Sequence, residues 1–183
     1  MQRKEANTNS NKWTLRYTFV LLFIFSTACV AYAQVEMPPD AAPPPLKIIS
    51  KAEKEQLASA KEVKDRTKLS LALMDARVKI AEQYLPQEQY EMIFRELGGF
   101  HALVIDALEY LANSDTNRDK VLDNFKRFEI GLRTFTLRLE LIHREMPPQR
   151  EYYLRLLMRE IRDARAKAME PLFGDVGIKR TSP

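Results

Sequence analysis

Two histidines, one cysteine and a scatter of carboxylates are the residues in this 183-residue chain whose types suit metal binding or catalysis. The most suggestive spacing is Glu140-Leu-Ile-His143. On a helix, positions three apart share a face, and di-iron helical proteins use two such Glu-x-x-His motifs with a glutamate from each of two further helices. Here the second motif is missing, because His101 has Gly98 three residues before it. Glu140 and His143 are therefore the only metal candidates, and the motif is incomplete. The simpler reading is a surface pair near a helix C-terminus, where a histidine suits the negative end of the helix dipole. Neither metal nor cofactor is expected.

Asp115, Asn117, Asp119 and Asp123 occupy positions 1, 3, 5 and 9 of a calcium-binding loop. Lys120 stands where that loop needs a glycine, and Lys126 where it needs a bidentate glutamate. A lysine at a ligand position repels the cation, so this stretch reads as the acidic first turn of a helix. Nucleophilic catalysis has no support: there is no Gly-x-Ser-x-Gly, no phosphate-cradling glycine loop, and no partner for either histidine. Arg155, Arg159 and Arg162 fall on one helix face, with Arg150 and Arg165 close by, and form a candidate surface for an anionic partner. Glu151, Glu160 and Asp163 are interleaved with them, so a salt-bridged, solvated face is the plainer expectation.

The elements that must position these residues are helices. Ser50-Lys51-Ala52-Glu53 is a capping box, and the helix it opens is expected over 50–85, ended by Pro86. Leu71, Met74, Val78, Ala81 and Leu85 repeat at alternating spacings of three and four, which places them on one stripe. The charged, apolar-poor start of this long helix is expected to overhang its neighbours. A second helix is expected over 86–113, with Tyr90, Ile93, Leu97, Phe100, Val104, Leu108 and Leu111 on its stripe. Gly98-Gly99 interrupts it, so the sequence predicts a kink or a close approach by a neighbouring helix; two shorter helices are the alternative. A third helix over 116–146 has the cleanest pattern: Val121, Phe125, Phe128, Leu132, Phe135, Leu139 and Ile142. The fourth, over 148–170, carries Leu154, Leu157, Ile161, Ala164 and Ala168, and Pro171 ends it. No run of strand-like alternation occurs. The expected fold is all-α: an up-down-up-down antiparallel four-helix bundle over 50–171, preceded by a signal peptide and a Pro-rich linker and followed by a flexible tail, 172–183.

Residues 1–33 read as a targeting segment. Arg3, Lys4, Lys12 and Arg16 give a positive start, Tyr17 to Val30 is mostly apolar, and Ala31-Tyr32-Ala33 has the small-x-small pattern that a signal peptidase cuts after. Cleavage after Ala33 leaves Gln34 leading. Two alternatives remain open: lipidation at Cys29, since Ser26-Thr27-Ala28-Cys29 resembles a bacterial lipobox with Ser26 where leucine is preferred, and retention of the segment as an anchor. Removing 1–33 takes four basic side chains and one acidic one from totals of 29 and 25, leaving 25 and 24. The net charge falls from +4 to about +1, so the basic balance is no argument for nucleic acid. Cleavage also removes the single cysteine and Trp13, so no internal disulfide supports the remaining chain. Residues 34–49 form the linker, with five prolines between Pro38 and Pro45 favouring an extended, disordered tether.

The sequence thus predicts an exported protein, periplasmic or secreted after cleavage, that meets the membrane only through its N-terminal segment if that segment is kept or lipidated. The expected function is non-enzymatic: an interaction or structural protein of the cell envelope, with a protein partner or self-association. The alternative is a carrier that holds a small molecule or metal in the helical core.

Overall fold

The computed structural model describes residues 41–114 and 119–173, and every regular element among them is helical. In chain order these are α1 (Lys51–Ser59), α2 (Val63–Tyr84), α3 (Tyr90–Ala112), α4 (Asp119–Arg144) and α5 (Pro148–Phe173), with a 3-10 turn at Leu85–Gln87 joining α2 to α3. The signal segment with Cys29, the linker up to residue 40, the acidic turn at 115–118 and the tail from 174 lie outside the described residues.

The capping box forms as its local spacing requires. Ser50 Oγ accepts from the Glu53 amide, and Glu53 Oε2 accepts from the Ser50 amide at 2.8 Å. The helix it opens is not the single long rod expected over 50–85. It stops at Ser59, and a second helix starts at Val63. The reason is apolar burial. Leu57 is the only large apolar side chain in α1, and a straight rod would carry it past the end of the packed helices. Breaking the chain at 60–62 folds Leu57 inward, to 2% exposure. Arg66 Nη1 then donates to the Leu57 carbonyl at 2.9 Å, alongside the Ala60 amide at 3.3 Å, which ties the end of α1 to α2. The charged start therefore folds back against α2 and does not overhang.

The loop between α2 and α3 also departs from expectation. Pro86 lies in the 3-10 turn, and Glu88 adopts a left-handed conformation (φ 54°, ψ 25°), so α3 starts only at Tyr90. At the far end, Pro171 does not end α5, which runs two residues further to Phe173. A proline in the last turn removes one amide donor but leaves the preceding residues helical.

α3 is buried nearly all round in its middle, from Ile93 to Val104, which marks it as the central helix. It is continuous through Gly98-Gly99. What approaches Gly98 is not a helix but the extended segment 41–49: a methyl at Gly98 would overlap the Leu46 carbonyl oxygen and crowd Pro45. The described part of the linker is thus a strap and not a free tether. Its Ala42 amide donates to the Gln149 carbonyl at 3.1 Å, and Ala42 and Ile49 pack on the core.

The four long helices form two hairpins. α2 and α3 run antiparallel, as the pairs Arg77–Glu96 and Arg66–Asp106 show, and so do α4 and α5, through Arg165–Glu129 and His143–Glu151. The hairpins meet in parallel register. Leu71 faces Gly131 and Asp75 meets Arg138, so α2 and α4 point the same way. Glu91–Arg150 and Phe94–Tyr153 align α3 with α5 likewise. α3 and α4 follow one another in the chain yet lie across the core from each other, touching mainly where Phe100 and Phe135 meet edge to face at 5.4 Å.

Candidate functional site

The charged side chains that reach inward are tied to one another. Arg77, on α2, donates to both Glu53 oxygens at 2.7 and 2.9 Å and to Glu96 Oε2 at 2.6 Å. These hydrogen bonds hold its pKa above the ordinary value against the opposing effect of burial. Burial alone would raise the Glu53 carboxyl, but hydrogen bonds from Arg77 and Ser50 outweigh it and bring the pKa down. Glu129, 4% exposed, is clamped by Arg165 and Arg133 in the same fashion, and its pKa also ends below the ordinary value. Arg138 joins α4 to α2 through Glu82 and Asp75. Glu53, Glu96 and Glu129 are thus held on their inner sides by arginine, whereas Asp75 and Glu82 keep more than a third of their side chains in solvent.

His101 is the exception. It is 2% exposed, its Nδ1 has no partner among the described residues, and burial lowers its pKa to about 4, aided by Lys47 and opposed by Glu160. It borders a surface recess of about 160 Å³ with Glu160, Asp163 and Lys167 at its rim.

Glu140 is exposed, whereas His143 is half-buried and lies 4.0 Å from Glu151. Among the described residues, no group of three or more histidine, cysteine, aspartate and glutamate side chains is placed to hold a metal ion. The arginine face divides. Arg155, Arg159 and Arg162 are exposed on α5, and Arg155 pairs with Glu151 at 3.1 Å. Arg150 is drawn off to Glu91 and over the rings of Tyr90 and Phe94, and Arg165 to Glu129. That leaves an anionic partner three arginines, two of them in no ion pair among the described residues and interleaved with Glu160 and Asp163.

The arrangement that stands out lies on α4, facing away from the core. Its inner stripe, Val121 to Ile142, is buried as the spacing requires. Opposite it, Ile130, Leu137 and Leu141 are 51, 65 and 57% exposed. Seven and four residues apart, they share one helix face. Charged side chains surround them: Lys126, Arg133, Glu140 and Arg144 are all exposed. Exposed apolar side chains aligned on one helix face, rimmed by charge, mark a candidate interaction face. The signal was present in the sequence as three apolar residues falling off the main stripe at helical spacing. It was hidden by the stronger inner pattern.

Among the described residues, no helix is long and apolar enough to cross a membrane. No protein-family model matches this sequence, and no curated protein or solved structure is significantly similar to it.

Proposed function

We propose that this chain is a non-enzymatic interaction protein of the bacterial cell envelope. In this reading residues 1–33 direct export and are removed after Ala33, and the four long helices make an antiparallel bundle, up-down-up-down in chain order. The bundle presents the outer face of α4 to another protein. The observation that carries the reading is that face: three large apolar side chains held in water on a rigid helix, in a structure whose inward charges are neutralised by one another. Keeping them exposed has no benefit to the fold. Export rests on the positive start, the apolar run and the Ala31-Tyr32-Ala33 site.

A photo-crosslinking amino acid at Leu141 in the full chain, expressed with its own N-terminus in a bacterial host, tests both halves. The expected result is a discrete protein adduct, carried by a species that starts at Gln34 and fractionates outside the cytoplasm. No adduct from Leu141, with none from Ile130 either, would overturn the interaction reading; a cytoplasmic species with an intact N-terminus would overturn export.

A further inference from the structure

The outer strip of α4 has a finer pattern than an apolar patch. Ile130, Thr134, Leu137 and Leu141 are spaced four, three and four, the repeat of a coiled-coil seam, with 130 and 137 at d and 134 and 141 at a. α4 therefore carries two seams: a buried one used inside the molecule, and a short one left open on the opposite side. Resting on the interaction reading above, we propose that the partner of this open seam is the same seam of a second copy of this chain, docked antiparallel about a two-fold axis.

The flanking charges choose both the partner and the direction. The seam's g positions are Arg133 and Glu140, and its e positions are Arg138 and Glu145. In a parallel pair, each g side chain meets the e side chain that follows in the other helix. Glu140 would face the partner's Glu145, a like charge, and Arg133 the partner's Arg138, whose guanidinium is already held by Asp75 and Glu82, so a parallel pair gains no opposite-charge contact. In an antiparallel pair, g meets g. Arg133 then faces the partner's Glu140, and the symmetry repeats the contact, giving two opposite-charge pairs. Ile130 stacks on the partner's Leu141, and Thr134 on the partner's Leu137. The other edge is already occupied from within: Arg138 is held by Asp75 and Glu82, and Gly131 lies against Leu71. Glu140 is exposed and forms no ion pair among the described residues, while Arg133 contacts Glu129 with its side chain still 64% exposed. An anionic lipid surface fits less well, because Glu140 would meet headgroups of its own sign.

The interface is small. The seam covers the 12 residues from 130 to 141, about 17 Å of helix from first to last, and its two ion pairs lie at the rim, where each contributes little. Four seam side chains per copy fall short of the roughly 1,200 Å² at which stable specific interfaces start, so a weak dimer is expected, dissociating on the order of 100 µM.

The test is sedimentation equilibrium of the full chain, purified after export, between about 1 and 300 µM, a range that brackets such an affinity. The expected result is a monomer–dimer equilibrium that Leu137→Glu moves to monomer throughout, with helical circular dichroism unchanged because the position is exposed. Arg133→Glu should weaken the dimer at least several-fold, and adding Glu140→Arg should restore it, since the swap rebuilds both pairs. A monomer at the highest concentration, or a dimer indifferent to Leu137→Glu, overturns the proposal. The crosslink at Leu141 separates the two levels. A self-adduct supports pairing, an adduct only with a different protein overturns pairing while the interaction reading stands, and no adduct removes both. Binding to anionic vesicles by a chain that stays monomeric, abolished by Leu137→Glu, also overturns it.

Discussion

Arg77 serves two carboxylates from different helices, and its neighbours show what its loss would do. Glu96 is 4% exposed, so replacing Arg77 with methionine leaves a buried charge with only the longer 3.4 Å contact to the largely exposed Arg95. Breaking a buried pair from one side costs about 3–5 kcal/mol, and Arg77→Met should lower stability by that order in urea denaturation. The double variant Arg77→Met, Glu96→Gln should recover a large part of it, because the stranded charge goes too. His101 sets the response to acid. Its pKa is about 4 in the folded chain against an ordinary 6.5, so the unfolded chain binds the extra proton first as pH falls. Stability from this residue is complete above pH 6.5 and declines between 6.5 and 4, by on the order of 2–3 kcal/mol. His101→Leu should flatten the urea midpoint over that window. The loss that starts below about pH 4.5 should persist, because Glu53, Asp75 and Glu129 have lowered pKa values and lose their partners only on protonation. The capping box at Ser50 and Glu53 was legible because its two residues are three apart. The tie from Glu53 to Arg77 spans 24 residues, about 36 Å in an unbroken helix, and could be seen only once the chain was known to fold back there.

At the scale of elements, periodicity located the four long helices because each buries one stripe, and the phenylalanine-rich seam of α4 was the clearest of them. What periodicity missed are two places where the backbone answers to distant partners. The break at 60–62 serves one leucine. The strap at 41–49 was read as a tether because prolines disfavour regular structure, but the same rigidity lowers the entropic cost of laying an extended segment on a surface. Gly98 is its seat. Alanine there would gain about 1 kcal/mol of helix propensity and lose the space for the Leu46 carbonyl. Gly98→Ala should leave the helices intact yet raise amide exchange and proteolytic cutting at 46–49, while the same measurements at α4 stay unchanged. Protection retained at the strap would show that the backbone shifts to accommodate the methyl.

At the scale of the whole molecule, the two hairpins are held to each other by Arg138, by the Phe100–Phe135 contact and by the aromatic pair Phe94–Tyr153. Neither hairpin can cover its own apolar face, so unfolding is expected as one transition, with circular dichroism and tyrosine fluorescence coinciding in urea. Separate transitions would mean that each hairpin stands alone. Direction along the chain was legible from the short turns, but the adjacency was not, because turn length says nothing about which helices lie across a core. The strap adds an ordering in time. Its seat is made of Gly98 and Gln149, residues joined to the growing chain roughly 50 and 100 positions after the strap itself. During synthesis the strap therefore waits unseated until α5 has begun to form, so a segment that is made early is among the last to find its place. A chain passing through a membrane as an unfolded thread would meet the same schedule on the far side, with its proline-rich stretch still free when the helices begin to pair.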